Sequence, residues 1–151
     1  QVVLSGTPDA VARASEEAKR AGAKKVVLLQ VSAAFHSPLM EAASRKLNAA
    51  IDAAAIAPAR VPVYANVSAA PVTAPDEIRR ALREQLLSPV LWEQTMTAMK
   101  GAGIRRYVEV GNGRVLRGLA RGVDKEAQLF GSEDPDSIEA AASVLAGAPA
   151  L

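Results

Sequence analysis

The chain contains no cysteine, which excludes a disulfide framework, a zinc ribbon and a thiol nucleophile, and is compatible with a reducing cytosol. Aromatic residues are scarce. Phe35, Tyr64, Trp92, Tyr107 and Phe130 make up 3% of 151 residues, too thin a supply for a platform that stacks single-stranded nucleic acid. Charge of one sign is also missing: 18 Lys and Arg face 16 Asp and Glu, a net +2. The basic residues are spread among acidic ones rather than blocked together, which argues against a dedicated DNA-binding surface and leaves room only for a local basic patch. No apolar run approaches the ~18 residues of a membrane span, and no stretch reads as a signal peptide, so the chain is expected to be soluble and cytoplasmic. Histidine occurs once, as His36.

What is present is half hydrophobic, chiefly Ala, Val and Leu, enough for one folded domain and unlike a disordered segment. The chain opens at Gln1 directly into Val2-Val3-Leu4-Ser5-Gly6, which reads as a buried strand and as the carboxy-terminal part of something longer. Thr7-Pro8 starts a helix that Gly22 stops, with Val11, Ala14 and Ala18 inward and Arg13, Glu17 and Arg20 toward water. Val26 to Leu29 reads as a second buried strand, so the opening is strand, helix, strand, an α/β signal.

Ser37-Pro38 repeats the cap-then-proline signature, with Leu39 or Met40, Ala43, Leu47, Ile51 and Ala54 expected on the inward face of the helix that follows. Val61 to Val67 reads as a short strand ending near Asn66, Pro71 to Pro75 as a loop, Asp76 to Leu87 as a helix, and Ser88-Pro89 as the cap of another helix running to about Gly101. Tyr107 to Val110 is a strand entering the turn Gly111-Asn112-Gly113. Val115 to Gly122, Leu129-Phe130 and Ile138 to Leu145 complete the expected order as helix, strand and helix.

His36 therefore stands at a strand-to-helix junction, where it either hydrogen-bonds structurally or works as a proton carrier near neutral pH. None of the serines lies in a Gly-x-Ser-x-Gly elbow, so no nucleophile is announced. The glycine turn invites an anion-binding reading, but Leu116 holds the third position of G-x-G-x-x-G and no Lys-Ser/Thr pair follows. A tight structural turn accounts for it better. Glu16-Glu17, Asp76-Glu77 and Glu133-Asp134 fit solvated faces or caps.

Five blocks occur in order: Gln1 to Gly6; Val31-Ser32-Ala33-Ala34-Phe35-His36-Ser37-Pro38-Leu39-Met40; Pro62-Val63-Tyr64-Ala65-Asn66-Val67; Gln85-Leu86-Leu87-Ser88-Pro89-Val90-Leu91-Trp92; and Tyr107 to Leu116. Together they resemble the carboxy-terminal half of the malonyl-CoA:acyl carrier protein transacylase family, which includes the acyltransferase domains of fatty acid and polyketide synthases. The resemblance covers nearly the whole chain, apart from the tail after about Ala127. Its glycine turn departs from the family's Gly-Pro-Gly, with Asn112 suited to a turn or left-handed position.

The resemblance implies an α/β fold: 1–32 as the later strand-helix-strand of a ferredoxin-like subdomain, and 33–151 as the carboxy-terminal part of a hydrolase-like core. It implies transfer of malonyl from coenzyme A to the phosphopantetheine thiol of acyl carrier protein through a seryl ester. His36 is the implied general base and the backbone carbonyl of Gln85 the group that orients it, a carbonyl in the place a triad gives to a carboxylate. Phe35 matches the malonyl-selective pattern, where an aromatic wall excludes an α-methyl group, or it is simply a core anchor; Asn66 lines the pocket or holds a turn. No cofactor or metal is implied.

The elbow serine, the oxyanion-hole amides and the arginine that pairs with the malonyl carboxylate belong to the family's amino-terminal half. The expected partners are that half, present as a separate chain or outside this sequence, and acyl carrier protein, with no nucleic acid and no membrane; the chain alone is expected to be inactive. A non-catalytic module that docks the acidic carrier protein through Arg114, Arg117, Arg121 and Lys125 is a second reading, against a merely solvated helix face. The acyltransferase of a polyketide synthase is a third.

Overall fold

A computed structural model describes residues 1–146. Its elements mix helices and strands and alternate strictly only from α4 onward: α1 (Pro8–Arg20), a 3-10 turn (Pro38–Met40) leading into α2 (Glu41–Ala53), β1 (Val63–Ala65), β2 (Ala70–Val72), α3 (Pro75–Gln85), α4 (Trp92–Gly101), β3 (Arg106–Glu109), α5 (Val115–Val123), β4 (Gln128–Gly131) and α6 (Pro135–Ala146). None of the described helices is long and apolar enough to cross a membrane. The contacts divide the chain into two units, Gln1–Leu91 and the part from Trp92 onward.

In the first unit, α1 begins where a proline follows a capping threonine: the Thr7 hydroxyl accepts from the Ala10 N–H at 3.4 Å. It ends at Gly22, whose φ of +88° is open to glycine at no steric cost. Val11, Ala14 and Ala18 lie on its half-buried side, while Lys19–Glu16 and Arg20–Glu17 pair in water. The strands expected on either side of α1 do not form. Val2, Val3 and Leu4 are exposed, as are Val27, Leu28 and Leu29. A strand is held by a neighbour's ladder, and among the described residues neither run has one.

The covered stripe of α2 is also rotated from expectation. Ser44 and Ile51 are buried and Met40 and Asn48 half-buried, whereas Ala43, Leu47 and Ala54 face outward. α2 packs on α3, and the stripe it covers is not the more apolar one. The stretch expected as a loop at Pro71 instead forms β2, an antiparallel partner of β1 with Val63 opposite Val72 and Ala65 opposite Ala70. Pro71 is tolerated because a two-stranded ribbon leaves each strand an edge on which no N–H is needed.

The second unit is a β3-α5-β4 crossover with α4 and α6 packed on it. β3 and β4 pair in parallel, from Arg106 opposite Gln128 to Glu109 opposite Gly131, and a parallel pair demands an intervening crossover such as α5. Met96, Ala120 and Ala141 are its buried apolar side chains. Asp124, at the end of α5, is buried and reaches Lys100 of α4 at 3.0 Å; the Lys100 ammonium holds its carboxyl below the usual aspartate range. The pair locks the end of α4 to the end of α5.

Candidate active site

Pro38 dictates the geometry around the lone histidine. A residue before proline is driven to extended backbone, and Ser37 has φ −142° and ψ 163°. The preceding residue must then turn sharply, and His36 takes φ +62°, in the left-handed region. Among non-glycine residues histidine is one of the few enriched there, at a cost of about 1–3 kcal/mol.

That turn aims both the backbone and the ring of His36 at one helix end. Its N–H donates to the Leu86 carbonyl at 3.1 Å, and its Nδ1 lies 3.0 Å from the Gln85 carbonyl oxygen. These carbonyls close the C-terminal end of α3, where intrahelical partners run out; that of Gln85 also accepts the Ser88 N–H at 3.3 Å. A carbonyl can only accept, so Nδ1 carries the proton and donates. In the neutral ring Nε2 then keeps a lone pair on the exposed side chain.

The acceptor is itself fixed. The Gln85 side-chain amide donates to the Ser88 and Pro89 carbonyls at 3.2 and 3.3 Å, closing the turn after α3. Arg79 donates to the Ile51 carbonyl and, at 3.3 Å, to that of Ala54, and Arg83 pairs with Asp52. These bonds clamp the end of α2 onto α3 while the end of α3 reaches back to the loop that enters α2.

The structure thus brings His36 and Gln85 together. Of the other expected site residues, Phe35 is 40% exposed, and Asn66, also exposed, accepts the Leu91 N–H through its backbone carbonyl at 2.9 Å. Among the described residues no hydrogen bond links the Asn66 side chain to His36.

The four cations expected as a patch separate into two kinds. Arg121 and Lys125 are exposed. Arg117, by contrast, is turned inward, its guanidinium 2.6 Å from Glu133 and 3.3 Å from Glu109, and Arg114 reaches Glu133 at 3.0 Å while staying exposed. Hydrogen bonding to Glu133 raises Arg117 further. Glu133 is correspondingly no solvated surface carboxylate, since its side chain is 12% exposed. Arg117 above all holds its carboxyl below the usual range.

Sequence reasoning missed Glu109. Its two carboxylate oxygens each accept at 3.0 Å from the N–H groups of Leu116 and Arg117, at the start of α5. The Arg117 N–H is the main reason its carboxyl lies below the ordinary glutamate range. An anion-binding role for Gly111-Asn112-Gly113 is thereby closed, because the helix N–H groups a phosphate would use already hold the protein's own carboxylate. The left-handed burden of the turn falls on Gly111 and Gly113, at φ +126° and +151°, and not on Asn112. The missed signal was an acid ending a strand, a glycine turn, and an arginine one helical turn beyond.

The chain, with its lone histidine held on a backbone carbonyl, belongs to the acyl transferase domain family, whose profile matches residues 1–145. It is 42% identical over 145 residues to the malonyl CoA-acyl carrier protein transacylase of Bacillus subtilis (strain 168), covering 96% of this chain and 46% of that protein. Among solved structures it resembles the acyl-carrier-protein-S-malonyltransferase of Bartonella henselae, at 38% identity and TM-score 0.86, over 91% of this chain and 44% of that one. It also resembles the complex of a type II polyketide synthase acyl-carrier protein with its malonyl-transacylase, at 32% identity and TM-score 0.87, over the same 91% and 44%. The chain spans a little under half the length of the curated malonyl transacylases it matches.

Proposed function

We propose that this chain supplies the general base for malonyl transfer from coenzyme A to the phosphopantetheine thiol of acyl carrier protein. The observation that carries the reading is the His36 Nδ1 contact with the Gln85 carbonyl at 3.0 Å, which leaves Nε2 as the proton acceptor. In this scheme a serine outside these residues attacks the thioester carbonyl carbon while its proton passes to Nε2. The carbon–sulfur bond breaks, and the coenzyme A thiolate takes that proton from Nε2. In the second half the carrier thiol gives its proton to Nε2 and attacks the seryl ester, and the departing serine oxygen recovers the proton. The Gln85 carbonyl accepts from Nδ1–H throughout, so the ring keeps one orientation in both protonation states.

Phe35 is assigned the selective wall against an α-methyl group, and Asn66 the pocket edge. Residues 1–32 belong in this reading to a ferredoxin-like subdomain and 33–151 to a hydrolase-like core. Carrier protein is the assigned partner, with Arg114, Arg121 and Lys125 as its cationic contacts. The test is transfer by this chain mixed with a polypeptide bearing the elbow serine. Activity that disappears in His36→Ala supports the reading, and activity unchanged by that substitution overturns it.

A further inference from the structure

His36 occupies a backbone conformation that costs a non-glycine residue, so its neighbours must supply the constraint. Ser37 stands next to it and is 7% exposed, unusually covered for so polar a residue. Its hydroxyl bonds the chain on both sides of the histidine: Oγ donates to the Ala34 carbonyl at 2.6 Å and accepts from the Leu39 N–H at 3.3 Å. The Ser37 carbonyl accepts from the Met40 N–H at 3.1 Å. One hydroxyl therefore fastens the start of the segment 34–39 to its end, with His36 between them.

We propose that Ser37 is a positioning residue for His36: its hydroxyl closes the 34–39 loop and so keeps the imidazole in the Nδ1–H tautomer on the Gln85 carbonyl. The consequence for transfer rests on the function proposed above; the positioning itself does not. Because the chain has one histidine, its imidazole nitrogen and proton resonances need no assignment. In the unaltered chain at pH 8 they are expected to show a protonated Nδ1 and an unprotonated Nε2. Ser37→Ala is expected to mix the tautomers and to speed exchange of the Nδ1 proton with water by roughly tenfold, the worth of about one hydrogen bond. Ser37→Thr keeps the hydroxyl on extended backbone that suits a β-branched residue, and is expected to return the single tautomer. A single tautomer and unaltered exchange in Ser37→Ala would overturn the proposal.

If Ser37→Ala does not unfold cooperatively, Ser37→Cys decides, since its shape is similar and its donor weaker. Exchange between the two extremes supports positioning, and exchange at the unaltered rate refutes it. In the mixed transfer assay Ser37→Ala is expected to lower kcat by roughly tenfold at constant KM. Full activity in His36→Asn would remove the general-base reading and leave the resonance test of Ser37 standing.

Discussion

At the residue scale, the proposed function gives the ring of His36 two separable duties, holding the Gln85 carbonyl and holding a proton. His36→Asn divides them. Asparagine tolerates left-handed backbone and its amide nitrogen can donate toward Gln85, but it has no basic site. His36→Ala removes both, on a left-handed backbone that already carries the Cβ of His36 and that suits alanine less than asparagine. Thermal unfolding should therefore show His36→Asn close to the unaltered chain and His36→Ala less stable; equal destabilisation of both would mean that the Gln85 contact is not what the ring contributes to the fold. Phe35 carries a second prediction. Phe35→Ala should raise transfer of methylmalonyl relative to malonyl by roughly tenfold or more, the scale on which one methyl group is discriminated in a pocket. An unchanged ratio in competition assays would return Phe35 to the role of an anchor.

At the element scale, much was legible and the failures have a common cause. Each described helix was legible in outline, α1 most clearly because Thr7-Pro8 and the period of Val11, Ala14 and Ala18 are local signals, whereas α4 starts at Trp92 and not at the expected Ser88-Pro89 cap. The site was legible to the same extent: His36 and Gln85 lie 49 residues apart in sequence, and their meeting was implied only through a family resemblance. What failed depended on a neighbour, although β1, β3 and β4 formed near where the sequence places them. The apolar runs at Val2 and Val26 look like strands in any local window but lack a described ladder, β2 formed at a proline because β1 was available, and the pairs of Glu109 and Glu133 with Arg117 were not visible, although Glu109 does end strand β3 as expected. These carboxylates give a test by acid. Folding lowers Glu109, Glu133 and Asp124, so the stability they contribute is complete above the ordinary carboxylate range and is lost as pH falls below about 4. Denaturant midpoints should decline over that window, and the decline should be shallower in Glu109→Gln. An equal slope in that variant would remove Glu109 from the account. Gly131 belongs to the same cluster, since a Cβ there would run into the Glu133 carboxylate and the Arg117 guanidinium, the movable ends of two long side chains. Gly131→Ala should therefore displace that pair at a cost of about 1 kcal/mol or less, measured by the same unfolding curves.

At the scale of the whole molecule, four apolar side chains of the first unit, Val3, Leu4, Val27 and Leu28, are each about 60% exposed or more in a chain that spans under half the length of its relatives. Surface of that kind drives association. Leu28→Lys should therefore change unfolding stability by less than about 0.5 kcal/mol while reducing self-association in sedimentation. A large loss of stability would show instead that Leu28 is covered in solution.

The central claim is that one imidazole, held by one carbonyl, moves the protons of malonyl transfer. It is tested most directly by malonyl transfer to carrier protein, measured with the chain and a polypeptide bearing the elbow serine, comparing His36 with His36→Asn. The account predicts that the mixture transfers malonyl and that His36→Asn, folded and with its α2 and α3 intact by amide exchange, loses at least roughly 100-fold in kcat. Transfer at an undiminished rate by folded His36→Asn would contradict it.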